Sequence, residues 1–180
     1  MGTKCKFNNG IQVFSGQPMM VSAGGIITSN QQVADTGTET VVLTETIYGN
    51  TLNATTMSFR AFMAGEISSS GAEDITLTLR YGTTDIVALT TVTLIDEDDK
   101  PFKAEWTGHI LTTGATGKIN ASAWGTFFQA TPLYYAADTA LAGVTADLTA
   151  NSSFNITAHW DGADADSDII VTHGWIQFYN

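Results

Sequence analysis

The chain has 180 residues, with 7 Lys+Arg against 18 Asp+Glu and a formal net charge of −11. That length suits one ordinary domain, and 43% hydrophobic with only 14% charged residues excludes a disordered chain, which combines low hydrophobicity with high charge. The acidic balance excludes a nucleic-acid binder, which needs a basic surface, and the single cysteine, Cys5, excludes an internal disulfide framework or a multi-cysteine zinc site.

The first ten residues, MGTKCKFNNG, carry Lys4 and Lys6 but no apolar stretch after them, so no secretory leader is expected. No run approaches the ~20 apolar residues of a membrane helix. Residues 1–36 show no sustained period and are predicted to form an irregular N-terminal arm, with the domain proper over 37–180. The arm scatters Phe7, Ile11, Val13, Phe14, Met19 and Met20 among polar residues. Such side chains need a partner, and a segment that orders on binding can wrap a large surface. Lys4, Lys6, Phe7 and Phe14 are the candidates for attachment to that partner. The rival reading makes Ile11–Phe14 an edge strand.

From residue 40 onward the dominant signal is strand. Threonine occurs 28 times; it is β-branched and favours extended backbone. Thr40–Ile47 and Met57–Ile67 read as strands. Ile75, Leu77, Leu79 and Tyr81 alternate with Thr76, Thr78 and Arg80, the period of a half-buried strand. Ile86–Ile95 is a long apolar and threonine run. Phe102, Ala104, Trp106, Gly108 and Ile110 alternate with Lys103, Glu105, Thr107 and His109. Lys118–Phe128 carries bulky residues on both faces. Ala137, Leu141, Val144 and Leu148 fall at helical spacing, but Gly143 and three threonines argue against a helix. Phe154, Ile156, Ala158 and Trp160 alternate again, and Ile169–Tyr179 is apolar on both faces. Turn residues separate these runs at Gly49-Asn50, Ser68–Gly71, Tyr81-Gly82, Asp96–Pro101, Gly114–Gly117 and Asp161–Asp168. About eight strands at this spacing predict an all-β sandwich or barrel.

No constellation for chemistry emerges. Asp164, Asp166 and Asp168 begin like a calcium loop, but the sixth and twelfth positions, Ile169 and Trp175, are not the Gly and Glu such a loop requires. Asp96–Asp99 is a second acidic loop, and both read as solvated turns. In a simple hairpin about Ala165, His159 and His173 would be diagonal neighbours, but a metal needs a third ligand. No nucleophile elbow or phosphate-cradling glycine loop is present. Hence no catalytic, cofactor-binding or metal residues are expected, and no cofactor.

The aromatic residues divide. Trp106 and Trp160 sit on clear apolar rows and are predicted core. Trp124 and Trp175 lie out of phase with their small neighbours Ala123, Gly125 and Gly174. A strand apolar on both faces is covered on both sides, so Trp124 and Phe128, and Trp175 and Phe178, are predicted at a subunit interface. With Tyr134 and Tyr135, the tryptophans could instead form a sugar-stacking platform.

The C-terminal third carries a resemblance. Ala146-Asp147-Leu148-Thr149-Ala150-Asn151, Phe154-Asn155-Ile156-Thr157-Ala158-His159-Trp160 and Ala163-Asp164-Ala165-Asp166-Ser167-Asp168-Ile169-Ile170 are similar to the endings of tailed-phage virion structural proteins. The upstream order is similar too: Gly49–Leu52, Leu77–Gly82 and Gly117–Gly125. The similarity spans roughly Thr40 to Asn180, although the chain has Asp168 where that family often has Asn. It implies a single jelly-roll and a non-enzymatic protein of the virion's outer surface. The partners it implies are copies of itself, as a homotrimer, and the major capsid protein or other virion proteins. Neither nucleic acid nor membrane is an expected partner. The role it implies is capsid decoration or head-fibre base. The alternatives are a tail-fibre module binding a receptor or glycan, and a trimeric signalling domain of the tumour-necrosis-factor type.

Overall fold

A computed structural model describes residues 20–24, 31–34, 36–69, 73–90, 97–128, 132–139, 142–162 and 166–179. All of its regular elements are strands. In chain order they are β1 (Met20–Gly24), β2 (Gln31–Ala34), β3 (Thr40–Ile47), β4 (Ser58–Ser69), β5 (Ile75–Tyr81) and β6 (Thr84–Thr90). There follow β7 (Glu97–Thr112), β8 (Gly117–Phe127), β9 (Leu133–Asp138), β10 (Val144–Ala146), β11 (Ser152–Trp160) and β12 (Asp168–Tyr179).

Two antiparallel sheets result. The larger runs β1-β12-β4-β7-β8-β10, with β2 also on β12 and β9 also on β8; the smaller runs β3-β11-β5-β6. Alternation explains the sandwich. Ile75, Leu77, Leu79 and Tyr81 of β5 face Phe154, Ile156, Ala158 and Trp160 of β11 across the ladder, all buried. From the large sheet, Phe59, Ala61 and Met63 of β4, Phe102, Ala104 and Trp106 of β7, and Ile176 and Phe178 of β12 point inward. Inward residues of two sheets interdigitate into one core. Phe154 ties the sheets together, with ring centroids 4.9 Å from Phe59, 5.2 Å from Phe178 and 5.2 Å from Tyr81.

Several expectations need correction. From Thr40 onward the described residues hold ten strands rather than about eight. The irregular arm expected over 1–36 contributes β1 and β2, both paired with β12. Val33 is core at 2% exposure, and its carbonyl accepts the Trp160 indole N–H at 3.3 Å. Lys4, Lys6, Phe7, Phe14 and the rival strand Ile11–Phe14 lie outside the described residues. The turn expected at Asp96–Pro101 is largely strand: β7 begins at Glu97, and Pro101 stands opposite Glu66 of β4. Pairing with a long neighbour has overridden local turn chemistry there, at the cost of a register shift near Ile67 and Asp99 at φ 48°. The segment with weak helical spacing supplies β9 and β10 instead, both paired with β8.

Candidate functional site

The outward face of the large sheet carries an unusual row. Successive strand partners place Trp175 (β12), Phe62 (β4), Glu105 (β7), Trp124 (β8) and Ala136 (β9) side by side in one line across five strands. Alternation puts them outside, because Met63, Ala104, Trp106, Ala123 and Ile176 on either side of them are buried. Trp175 and Phe62 stack with centroids 5.8 Å apart and rings 24° from parallel. The Arg60 guanidinium lies 5.6 Å from the Trp175 ring centre, within cation–π range.

Arg60 holds Glu105 with two hydrogen bonds, Nε to Oε1 at 2.5 Å and Nη2 to Oε2 at 2.6 Å. The Glu105 side chain is only 7% exposed while that of Arg60 is 48% exposed. The carboxylate is therefore shielded and the cation half in water. These bonds hold the guanidinium further into its charged form, against the opposing effect of burial. A guanidinium has five N–H donors in a planar fork; two are spent on Glu105, so three remain.

At the β8–β9 side the face opens to solvent. Trp124 is 39% exposed, Phe128 37% and Tyr134 76%. Tyr134 stands opposite Thr126, two residues along from the Trp124–Ala136 pair, and so shares their face. Tyr135 points the other way, edge-on to Phe127 at 5.6 Å. The other described charged side chains that are exposed or half-buried on β4, β7 and β8 are Glu66, Asp98, Asp99, Lys100, Lys103 and Lys118. The face is thus nearly balanced in charge on a strongly acidic chain.

The residues expected at an interface do not stay together. Trp124, Phe128 and Trp175 are on the outer face. Phe178 is corrected to core: it is 1% exposed and packs on Phe154 and Phe59. Its neighbours Gln177 and Tyr179, not Phe178, take the outward positions of β12. Trp106 and Trp160 are buried, at 0% and 1%. Arg60, Phe62 and Glu105 were not singled out by sequence. Their outward phase was readable from Phe59-Ala61-Met63 and Phe102-Ala104-Trp106, but nothing local says that β4 lies between β12 and β7.

The acidic segments, separate in sequence, gather at one end of the sandwich. Asp74 and Asp161 bridge β5 and β11: the Asp74 N–H donates to the Asp161 carboxylate at 3.0 Å, and the Asp161 N–H to the Asp74 carbonyl at 3.0 Å. Asp168 accepts from the Gln32 amide at 2.6 Å, and the Asp99 N–H donates to Ser68 Oγ at 3.2 Å. Among the described residues no three His, Cys, Asp or Glu side chains are placed to hold a metal; Asp164 lies outside them. His159 and His173 are not ladder neighbours. They sit in different sheets, opposite Thr76 and Ala64.

No family model matches the chain, and no curated protein does. Among solved structures, the CBM2 module of the evolved Dit of Lactobacillus casei BL23 phage J-1 aligns over 93% of this chain and 81% of that one, at 11% identity and a TM-score of 0.35. A likeness that weak carries neither function nor detailed fold from one chain to the other.

Proposed function

We propose that the chain is a non-enzymatic structural protein of a tailed-phage particle, built on a jelly-roll and displayed on the particle's outer surface as capsid decoration or fibre base. The observation that carries this reading is strand order. Within the two sheets, β2-β12-β4-β7 and β3-β11-β5-β6 alternate as two interleaved Greek keys would, the pattern of a jelly-roll. Strands β8, β9 and β10 then extend the first sheet beyond β7. The sequence similarity between Thr40 and Asn180 supports the same reading. A net charge of −11 suits an outer layer that must not collect nucleic acid. The proposed partners are copies of the chain, as a homotrimer, and the major capsid protein or another virion protein met through Lys4, Lys6, Phe7 and Phe14.

The tail-fibre alternative is favoured by one observation, the exposed Trp124 and Tyr134 on the outer face. Gold-labelled antibody against the chain, applied to intact particles, tests the main reading. Label over the head surface is expected; unlabelled particles would sink it. Light scattering on the purified protein should give three times 19.1 kDa, and a monomer at micromolar concentration would remove the homotrimer.

A further inference from the structure

We infer that the outer edge of β9 is a pairing edge, at which the large sheets of two copies of the chain join antiparallel about a twofold axis at Ala136. The contact is isologous, the same strand meeting itself. It is therefore separate from the threefold contact proposed above and does not rest on it.

A sheet edge presents a row of N–H and C=O groups that accepts another strand, and folded chains blunt it with bulges, charges or very short strands. Among the described residues the edge strands are β1 and β2 beyond β12, β9 and β10 beyond β8, and β3 and β6 of the small sheet. Register shifts interrupt β1 between Met20 and Ser22, β3 between Val41 and Leu43, and β6 between Asp85 and Val87. Strands β2 and β10 have only four and three residues. Strand β9 has six, and its register with β8 runs unbroken from Asp138 opposite Ser122 to Leu133 opposite Phe127. It is also open to water, with Tyr134 76% exposed and Ala136 exposed beside it. Of the six edges, β9 is the longest without a break.

Backbone phase and charge select a second copy as the occupant. The Thr139 N–H donates to the Ala121 carbonyl at 2.9 Å. Backbone groups alternate sides along a strand, so the odd residues of β9 turn to β8, and Tyr134, Ala136 and Asp138 turn N–H and C=O to the outer side. A second β9 centred on Ala136 sets Ala136 opposite Ala136 of the partner subunit, and Tyr134 opposite Asp138 of the partner subunit. Each of these is a hydrogen-bonded pair, so about six N–H···O bonds close both edges at once. Asp138 never stands opposite itself, so like charges do not meet. The chain carries a net charge of −11, and two copies repel least where carboxylates are fewest; between Glu105 and Asp147, the stretch that includes β8, β9 and β10, Asp138 is the one acidic residue. Trp124 stands beside Ala136. The small alanines at the axis leave room for the exposed Trp124 of each copy to cover the junction.

The test combines light scattering with cross-linking, both on the full-length chain at micromolar concentration. Ala136→Lys sets two ammonium groups face to face at the axis and touches no bond to β8, so the variant keeps its fold. Its particle mass should be half that of the unsubstituted chain or less, whether the smaller species holds one chain or three. Equal masses overturn the inference. Ala136→Cys in a Cys5→Ser background should form a disulfide-linked dimer on mild oxidation. The Cα atoms of a hydrogen-bonded antiparallel pair lie about 5.5 Å apart, within disulfide reach. Val41→Cys in the same background, on the shifted β3 edge where Val41 is 50% exposed, should give at least tenfold less dimer. Equal linking by the two variants reports collisions alone and overturns the pairing, as does no linking by Ala136→Cys. If Ala136→Lys takes a two-chain particle to a single chain of 19.1 kDa, the β9 contact stands and the homotrimer falls.

Discussion

The two outward faces of this sandwich are built from strands of the same period yet present opposite chemistry. On the small sheet the outward groups satisfy one another. Thr44 donates to Asn155 at 2.6 Å, Thr76 and Thr90 hydroxyls lie 3.0 Å apart, and Thr157 donates to Glu39. Arg80 is held between Glu39, at 2.5 Å, and Asp85. On the large sheet the Arg60–Glu105 pair, Gln32–Asp168 and Tyr179–Gln177 are closed in the same way, but beside them Trp124, Phe128 and Tyr134 stay exposed at the β8–β9 side. A surface whose polar groups are already paired has little left to offer a partner. One that leaves rigid aromatic area and spare guanidinium donors exposed retains unspent binding capacity.

The comparison breaks most severely if the aromatic row loses its frame. Gly65 of β4 sits so close to β12 that a Cβ there would lie 1.9 Å from the Ile170 carbonyl oxygen. Gly65→Ala must push β4 and β12 apart, and with them the Phe62–Trp175 stack. We expect a loss of about 3 kcal/mol in urea unfolding; an unchanged midpoint would mean the two strands are not so tightly apposed.

A smaller effect sharpens the contrast between the two ion pairs. Arg60→Ala strands the shielded Glu105 carboxylate. Removing one partner of a fully buried pair costs 3–5 kcal/mol, and because the Arg60 side chain is half exposed we expect about 2 kcal/mol. Arg80→Ala, on the small sheet, leaves the more exposed Asp85 and Glu39 free to be solvated and should cost less than about 1 kcal/mol. Equal losses in urea unfolding would erase the distinction drawn between the faces.

The smallest effect belongs to neither face and serves as their control. Asp147, in the turn after β10, accepts from the Thr149 hydroxyl at 2.6 Å and N–H at 2.9 Å. These bonds hold its carboxyl below the ordinary value of 3.8. A lowered folded-state value means stability present above that ordinary value and lost as pH falls through the folded one. Thr149→Val should therefore flatten the acid limb of the unfolding curve slightly. An acid limb identical to that of the unsubstituted chain would show that these bonds do not hold the carboxyl down.

Much of the fold was legible because alternation is a local property. The windows Thr40–Ile47 and Ile75–Tyr81 coincide with β3 and β5, and the predicted core tryptophans Trp106 and Trp160 are buried. Phe178 was misread because Ile169–Tyr179 is bulky on both faces, so its phase depends on the bulge near Thr172 that pairing with β4 introduces. Strands β1, β2, β9 and β10 were missed because each is short, three to six residues. Their stability comes from the ladders they join and, for β2, from Val33 and the Trp160 indole.

The sequence by itself determined which residues point the same way along each strand, since side-chain direction follows from a two-residue period. It thereby put Trp124 on the outward side of its strand and Arg60, Phe62 and Glu105 out of phase with their core neighbours. Only the tertiary structure decided that β12, β4, β7 and β8 lie side by side, joining residues 105 and 175 in one row, and likewise drew Asp74, Asp99, Asp161 and Asp168 to one end. The reason is that strand neighbours are chosen by the burial of whole faces and by backbone hydrogen bonding between distant segments. No local period in the chain encodes those terms.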